Sequence, residues 1–170
     1  MFEMAPYLPR LFFGDYSIRN KTIYYPMKKL LLGIFIPLIA IQFIRMDVPA
    51  TLTSTTNNEI DAPPKVMSIL KRACYDCHSN SLIYPWYSKV VPLSWYTKTH
   101  VKNGRKVVNF SEWKGYVKEK QFKVMDKLPK SLLVRMPLPD YLWLHEEAKL
   151  SAEDRKVLSE WGEELHTTLK

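Results

Sequence analysis

Two cysteines, Cys74 and Cys77, stand three residues apart, His78 follows at once, and the 170 residues hold no other cysteine. No other feature restricts the chain as strongly. A single pair at this spacing is no disulfide framework, so its chemistry must be local. Cys-x-x-Cys-His places two thiols on one side of a helix end, where they reach the two vinyl groups of one porphyrin as thioethers. The next residue then lies under the ring and offers an imidazole to iron. The first expectation is therefore one covalent haem c on Cys74, Cys77 and His78. Two other chemistries use similar spacing. A redox Cys-x-x-Cys normally follows a strand and opens a helix, whereas here Val66, Ile69, Leu70 and Ala73 recur at helical spacing up to the motif. A zinc site needs a fourth ligand, for which His100 or His145 is available.

The N-terminal part reads as a leader. Residues 1–26 carry prolines, aromatics and scattered charges without a period; they read as a tail, or as sequence upstream of a true start at Met27. Met27-Lys28-Lys29 then precedes an apolar run, Leu30 to Ile44, in the order of a positive n-region and a hydrophobic h-region. Fifteen residues reach only ~22 Å as a helix, against a ~30 Å hydrocarbon core, unless the flanking Lys28, Lys29 and Arg45 snorkel. No small-x-small cleavage site and no lipobox cysteine follow. Residues 27–46 are accordingly expected to be an uncleaved signal anchor, a transmembrane helix; a cleaved signal peptide is the second reading, and a buried soluble helix, which Pro37 and the Lys-Lys flank fit poorly, the third. Arg10, Arg19, Lys21, Lys28 and Lys29 precede the run and only Arg45 closely follows it. The positive-inside rule then puts residues 47–170 outside the cytoplasm. Residues 47–63 are polar and proline-punctuated and read as a flexible linker.

From residue 64 to 170 the pattern is helical, with no convincing strands. Ser111 is expected to cap a helix over 111–127, with Trp113, Tyr116, Val117 and Val124 as its apolar stripe and Pro129 as its stop. Pro137 and Pro139 bracket a turn, and Tyr141 to Ala148 fit a short helix. Ser151-Ala-Glu-Asp154 has the form of a capping box and opens a last helix with Val157, Leu158, Trp161 and Leu165 on one face.

An electron-transfer haem usually carries a second axial ligand, methionine or histidine. Met136, followed by Pro137, is the preferred candidate, and His100 is the runner-up. Trp86 and Trp95 are candidates to flank the ring, and Arg105 to pair with a propionate. Between Lys98 and Lys130 there are 10 Lys or Arg against 3 acids, within a chain of net charge +8. That basic stretch suits an acidic redox partner or an anionic lipid surface. Nucleic acid is not expected of an exported domain.

Several spaced pieces resemble the bacterial haem-binding domain family built around C-x-x-C-H-S-N. They are Cys74 to Asn80, Tyr84-Pro-Trp-Tyr-Ser88, Pro92-Leu-Ser-Trp95, His100 to Arg105, Asn109-Phe-Ser-Glu-Trp113, Met136 to Tyr141, and His145 to Ser151. They cover about residues 60 to 165. The resemblance implies a single-haem domain, often anchored or fused to other exported modules, and names a cofactor more firmly than a physiological role.

The expected architecture is thus mainly α: a small cytochrome c-like helical domain around one haem, behind an N-terminal transmembrane anchor, at the extracytoplasmic face of a bacterial inner membrane. The expected function is single-electron transfer without enzymatic turnover. The alternatives are a peroxidase-like enzyme or gas sensor with a labile sixth iron position, and a zinc-binding interaction module.

Overall fold

The structure, a computed structural model, describes residues 16–44, 56–82 and 84–170, with side chains for 26–44, 57–82 and 84–170. The chain divides into two units, residues 1–44 and 45–170. All regular structure among the described residues is helical.

In the first unit, helix α1 spans Tyr16–Ile41 and contains Pro26 and Pro37. It begins well before Met27, so part of the expected irregular tail is helical; residues 1–15 lie outside the described residues. Side chains 26–40 are exposed. Residues 45 and 46 of the expected anchor over 27–46 lie outside the described residues. Among the described residues no helix is long and apolar enough to cross a membrane. Helix α1 itself has 26 residues; its apolar part is what is short. The helix ends at Ile41 and Gln42 and Phe43 form a turn. The twelve residues from Leu30 to Ile41 rise only ~18 Å at about 1.5 Å each.

The second unit opens with a 3-10 turn, Thr56–Asn58. Residues 47–55 of the expected linker lie outside the described residues, but its last part is not a spacer. Ile60 is 2% exposed, and its N–H donates to the Phe110 carbonyl at 2.9 Å. A lone apolar residue in a polar run has no period to reveal it. Helix α2, Pro64–Ala73, starts on proline and buries Val66, Ile69, Leu70 and Ala73 along one face. Cys74 joins it to the single-turn helix α3, Tyr75–His78. A 3-10 turn, Trp86–Lys89, leads to helix α4, Leu93–Val107.

The helix expected over 111–127 is two elements, a 3-10 turn at Phe110–Gly115 and helix α5 at Lys118–Val134. Asn109, not Ser111, accepts the capping N–H, and Ser111 is buried. Pro129 lies inside α5 instead of ending it. Proline removes the N–H that would bond the Met125 carbonyl, yet Met125 and Leu132 on either side are buried. Tertiary packing holds the helix across that gap. The stretch 141–148 forms two 3-10 turns, Tyr141–Trp143 and Glu146–Ala148, in place of one short helix.

The last helix, α6, spans Ala152–Thr168 and packs extensively on α5. Leu158 and Trp161 enter the core there, and each such side chain contributes roughly 1.5–3 kcal/mol by leaving water. The capping box at its start is complete. The Asp154 N–H donates to Ser151 Oγ at 3.0 Å, and the Ser151 N–H donates to Asp154 Oδ2 at 2.9 Å. Arg72, near the end of α2, donates to the Glu147 and Lys149 carbonyls and to Asp154. Three separate stretches are tied together by that one guanidinium.

The Ser151 backbone N–H, with help from the Ser151 hydroxyl and Arg72, holds the Asp154 carboxyl below the usual aspartate range. A depressed carboxylate stabilises the fold above its unfolded pKa, and the gain disappears as pH falls through the folded pKa. Asp154→Asn is therefore expected to cost about 1 kcal/mol at pH 7. Urea melts of the two proteins should begin to converge as pH falls below about 4 and meet once it has passed the folded pKa. A gap that stays constant with pH would contradict this assignment.

Candidate functional site

The motif is placed by the element packed against it. Helix α4 crosses α3 so closely that a Cβ on Gly104 would lie 2.8 Å from the Cys77 carbonyl oxygen and 3.3 Å from His78 Cε1. Only glycine leaves room for that approach. The consequence appears on the imidazole. His78 Nδ1 lies 3.1 Å from the Gly104 carbonyl and 3.1 Å from the Val108 carbonyl, both at the C-terminal end of α4. Carbonyls only accept, so Nδ1 carries the proton and Nε2 keeps its lone pair. Burial lowers the His78 pKa, with the two backbone bonds opposing it, and favours the neutral ring. A neutral imidazole, oriented by a backbone acceptor and with Nε2 available, is what a metal-ligating histidine requires.

The chain leaving the motif is locked by a buried polar network. Ser79 and Asn80 are 0% and 2% exposed. The Ser79 hydroxyl donates to the Tyr75 carbonyl at 2.7 Å, and Arg105 Nε donates to the Ser79 carbonyl at 2.9 Å. The Asn80 amide donates to Glu112 at 2.8 Å and accepts from Asn109 Nδ2 at 2.7 Å, while its N–H donates to Ser111 Oγ at 3.0 Å. Buried polar groups satisfied this fully fix one geometry. On the other side, the Tyr141 hydroxyl donates to Asp76 Oδ2, between the two cysteines, at 2.7 Å. Tyr141 stacks on His145 at 4.0 Å between centroids. The segment after Met136 is thereby tied to the motif.

Cys74, Cys77 and His78 open onto one cavity of about 840 Å³, within the range of cofactor sites. Its floor and walls include Phe110, Val107, Val124, Leu128 and Leu132. Met136 and His100 also line it, as does Tyr141. Both thiols are unpaired with each other. Burial, followed by the neighbouring Cys77, pushes the Cys74 thiol up to about 12, with Arg72 opposing. Burial and Asp76 push Cys77 up to about 11, with Arg105 opposing. Thiol–disulfide exchange calls for the opposite shift. For zinc, no group of three or more His, Cys, Asp or Glu among the described residues is arranged to hold a metal ion.

The other expected site residues divide. His100 stands one helical turn before Gly104, on the face of α4 that meets the motif. Its Nδ1 donates to the Tyr96 carbonyl at 2.9 Å. Trp86 and Trp95 are not among the cavity's lining, and Trp86 is 75% exposed. Arg105 does not line it either; it holds the motif through Ser79. Aromatic clustering near a motif in sequence carried no information about facing, because turns intervene. Gly104, the Asn80–Asn109–Ser111 network and Tyr141 act on the site without being picked out as acting residues by sequence pattern. An isolated glycine inside a helical pattern, beside a possible ligand, was the one available signal.

A family model described as Haem-binding domain matches residues 36–164. Searches of curated proteins and of solved structures found no match.

Gly104→Ala is expected to force α4 off the motif and cost about 1–3 kcal/mol, with a matching loss of haem retention. Gly115→Ala, whose nearest neighbour would be 4.0 Å away, serves as control and should change stability by less than about 0.5 kcal/mol. Denaturant melts that rank the two variants equally would contradict the close crossing.

Proposed function

The chain belongs to the haem-binding domain family, and from that premise we propose that it carries single electrons on one haem, which Cys74 and Cys77 would hold by thioethers and whose iron His78 and Met136 would ligate. The observation that supports this most is the His78 ring, fixed by two backbone carbonyls with Nε2 left to bind. The donor set fits the group: two neutral thiols, an oriented imidazole and a thioether sulfur line one largely apolar cavity.

When bound, haem supplies a one-electron couple at iron, and a sulfur ligand sets its potential above that of a bis-histidine centre. The chain's own residues do the rest. Cys74 and Cys77 retain the cofactor even where the surrounding core is thin. Gly104 and Val108 hold the His78 tautomer. The Tyr141–Asp76 bond fixes the segment that carries Met136. Val124, Leu128 and Leu132 keep water from the ring's face.

The choice of Met136 over His100 rests on placement. His100 shares its helix face with Gly104, which backs His78, so it stands on the side already taken by the first ligand. Met136 comes from beyond the end of α5, and α5 packs on α6 and not on the motif helix. His100 still lines the cavity, and this favours, as a second reading, a labile sixth position with His100 as acid-base group. The location in this proposal is the extracytoplasmic face of a bacterial membrane, supported by Lys28 and Lys29 ahead of the exposed apolar side chains of α1. The basic stretch from Lys98 to Lys130 fits an acidic redox partner.

Ferric protein is expected to show the weak far-red charge-transfer band of methionine-ligated iron. Met136→Ala should abolish that band and let the ferrous form bind CO rapidly, while His100→Ala should leave the band intact. Rapid CO binding by the unaltered protein would replace this reading with the second one.

A further inference from the structure

Helix α5 presents an unusual wall to the cavity. Its apolar positions Val124, Leu128 and Leu132 recur at helical spacing, and cations stand beside them: Lys120, Lys123, Lys127 and then Arg135 just past the helix end. Two of these are already engaged. Lys120 lies 3.5 Å over the Tyr116 ring. Lys123 pairs with Glu119 at 2.5 Å. The Lys127 ammonium and the Arg135 guanidinium have no acceptor among the described residues. Both line the same cavity, Lys127 from α5 and Arg135 from the residue that follows its last turn.

An apolar cavity with two unmatched cations along one wall suits a ligand with an apolar body and two anionic groups. Resting on the haem reading above, we propose that Lys127 and Arg135 bind the two propionate carboxylates. The porphyrin's own layout supports this. Its vinyl groups and its propionates are at opposite edges, so attachment at Cys74 and Cys77 directs the carboxylates away from the motif. Helix α3 packs on α2 and α4, whereas α5 packs on α6 and meets α3 across the cavity. The role expected of Arg105 thus passes to α5, since Arg105 lies outside the lining and is bonded to the Ser79 carbonyl. Arg135 offers a planar fork suited to a carboxylate, and Lys127 a point charge.

The test compares Lys127→Gln and Arg135→Gln with Lys130→Gln. Lys130 is an exposed lysine of the same helix outside the cavity lining, so its variant loses the same charge without losing a propionate contact. Haem content of each purified protein is measured as pyridine haemochrome, and the propionate bending bands are read by resonance Raman alongside the midpoint potential. The expected result is full haem content throughout. The Lys127 and Arg135 variants should show shifted propionate bands and a lowered potential, because loss of a nearby cation favours ferric iron; Lys130→Gln should match the unaltered protein. Full haem content with unshifted bands in both cavity variants, or an equal shift in Lys130→Gln, would overturn the carboxylate assignment alone. An unaltered protein lacking haem would overturn the underlying reading as well.

Discussion

Everything at this site depends on one close crossing, in which α4 lies against the motif with no side chain at Gly104 to hold it off. The crossing brings the last carbonyls of α4 to the imidazole. A helix C-terminus leaves carbonyls without intrahelical partners, and the Val108 carbonyl meets His78 Nδ1 at 3.1 Å. The histidine therefore terminates a helix and receives its tautomer in the same contact. One geometry thus serves both the fold and the ligand, and the polar network through Asn80, Asn109 and Ser111 holds it from behind.

The domain's packing is arranged around a gap. Helices α5 and α6 form one well-packed pair, and α2 packs on α6. The motif, α4 and the turn at 110–115 make a second group. Between α5 and the motif is a cavity of about 840 Å³. A side of α5 that would face a core in an ordinary helical domain faces this space instead. A ligand that fills it binds the folded state alone and stabilises it by mass action; a covalent ligand does so without dissociating. The raised thiol pKa values at Cys74 and Cys77 belong to the same arrangement, since both sulfurs are part of the apolar lining.

Much of this was legible in the sequence because it is local. The Cys74–Cys77–His78 spacing, the stripe of α2 and the Ser151–Asp154 capping box are set by residues within one or two helical turns. Met136, the second-ligand candidate of the sequence, lines the cavity. What was not legible depends on partners far along the chain. Pro129 reads as a stop, and only the packing of Met125 and Leu132 keeps α5 continuous through it. Ile60 reads as linker, and it is buried because its N–H finds the Phe110 carbonyl 50 residues on. Trp86 reads as a flank for the porphyrin, yet the turn it opens leaves the indole exposed. Arg105 reads as a propionate partner because it is a cation near a possible ligand, whereas its Nε reaches back to Ser79. For Pro129, Ile60 and Arg105 a long-range contact outweighed the local pattern.

The central claim is that the Cys74 and Cys77 sulfurs hold a porphyrin covalently. Intact-mass spectrometry tests it most directly, on full-length protein produced with haem-maturation machinery and denatured in acid-acetone. The account expects the polypeptide mass plus one haem, with the added mass lost when both cysteines are replaced by alanine. A bare polypeptide mass, with all pigment recovered in the acetone, would contradict it.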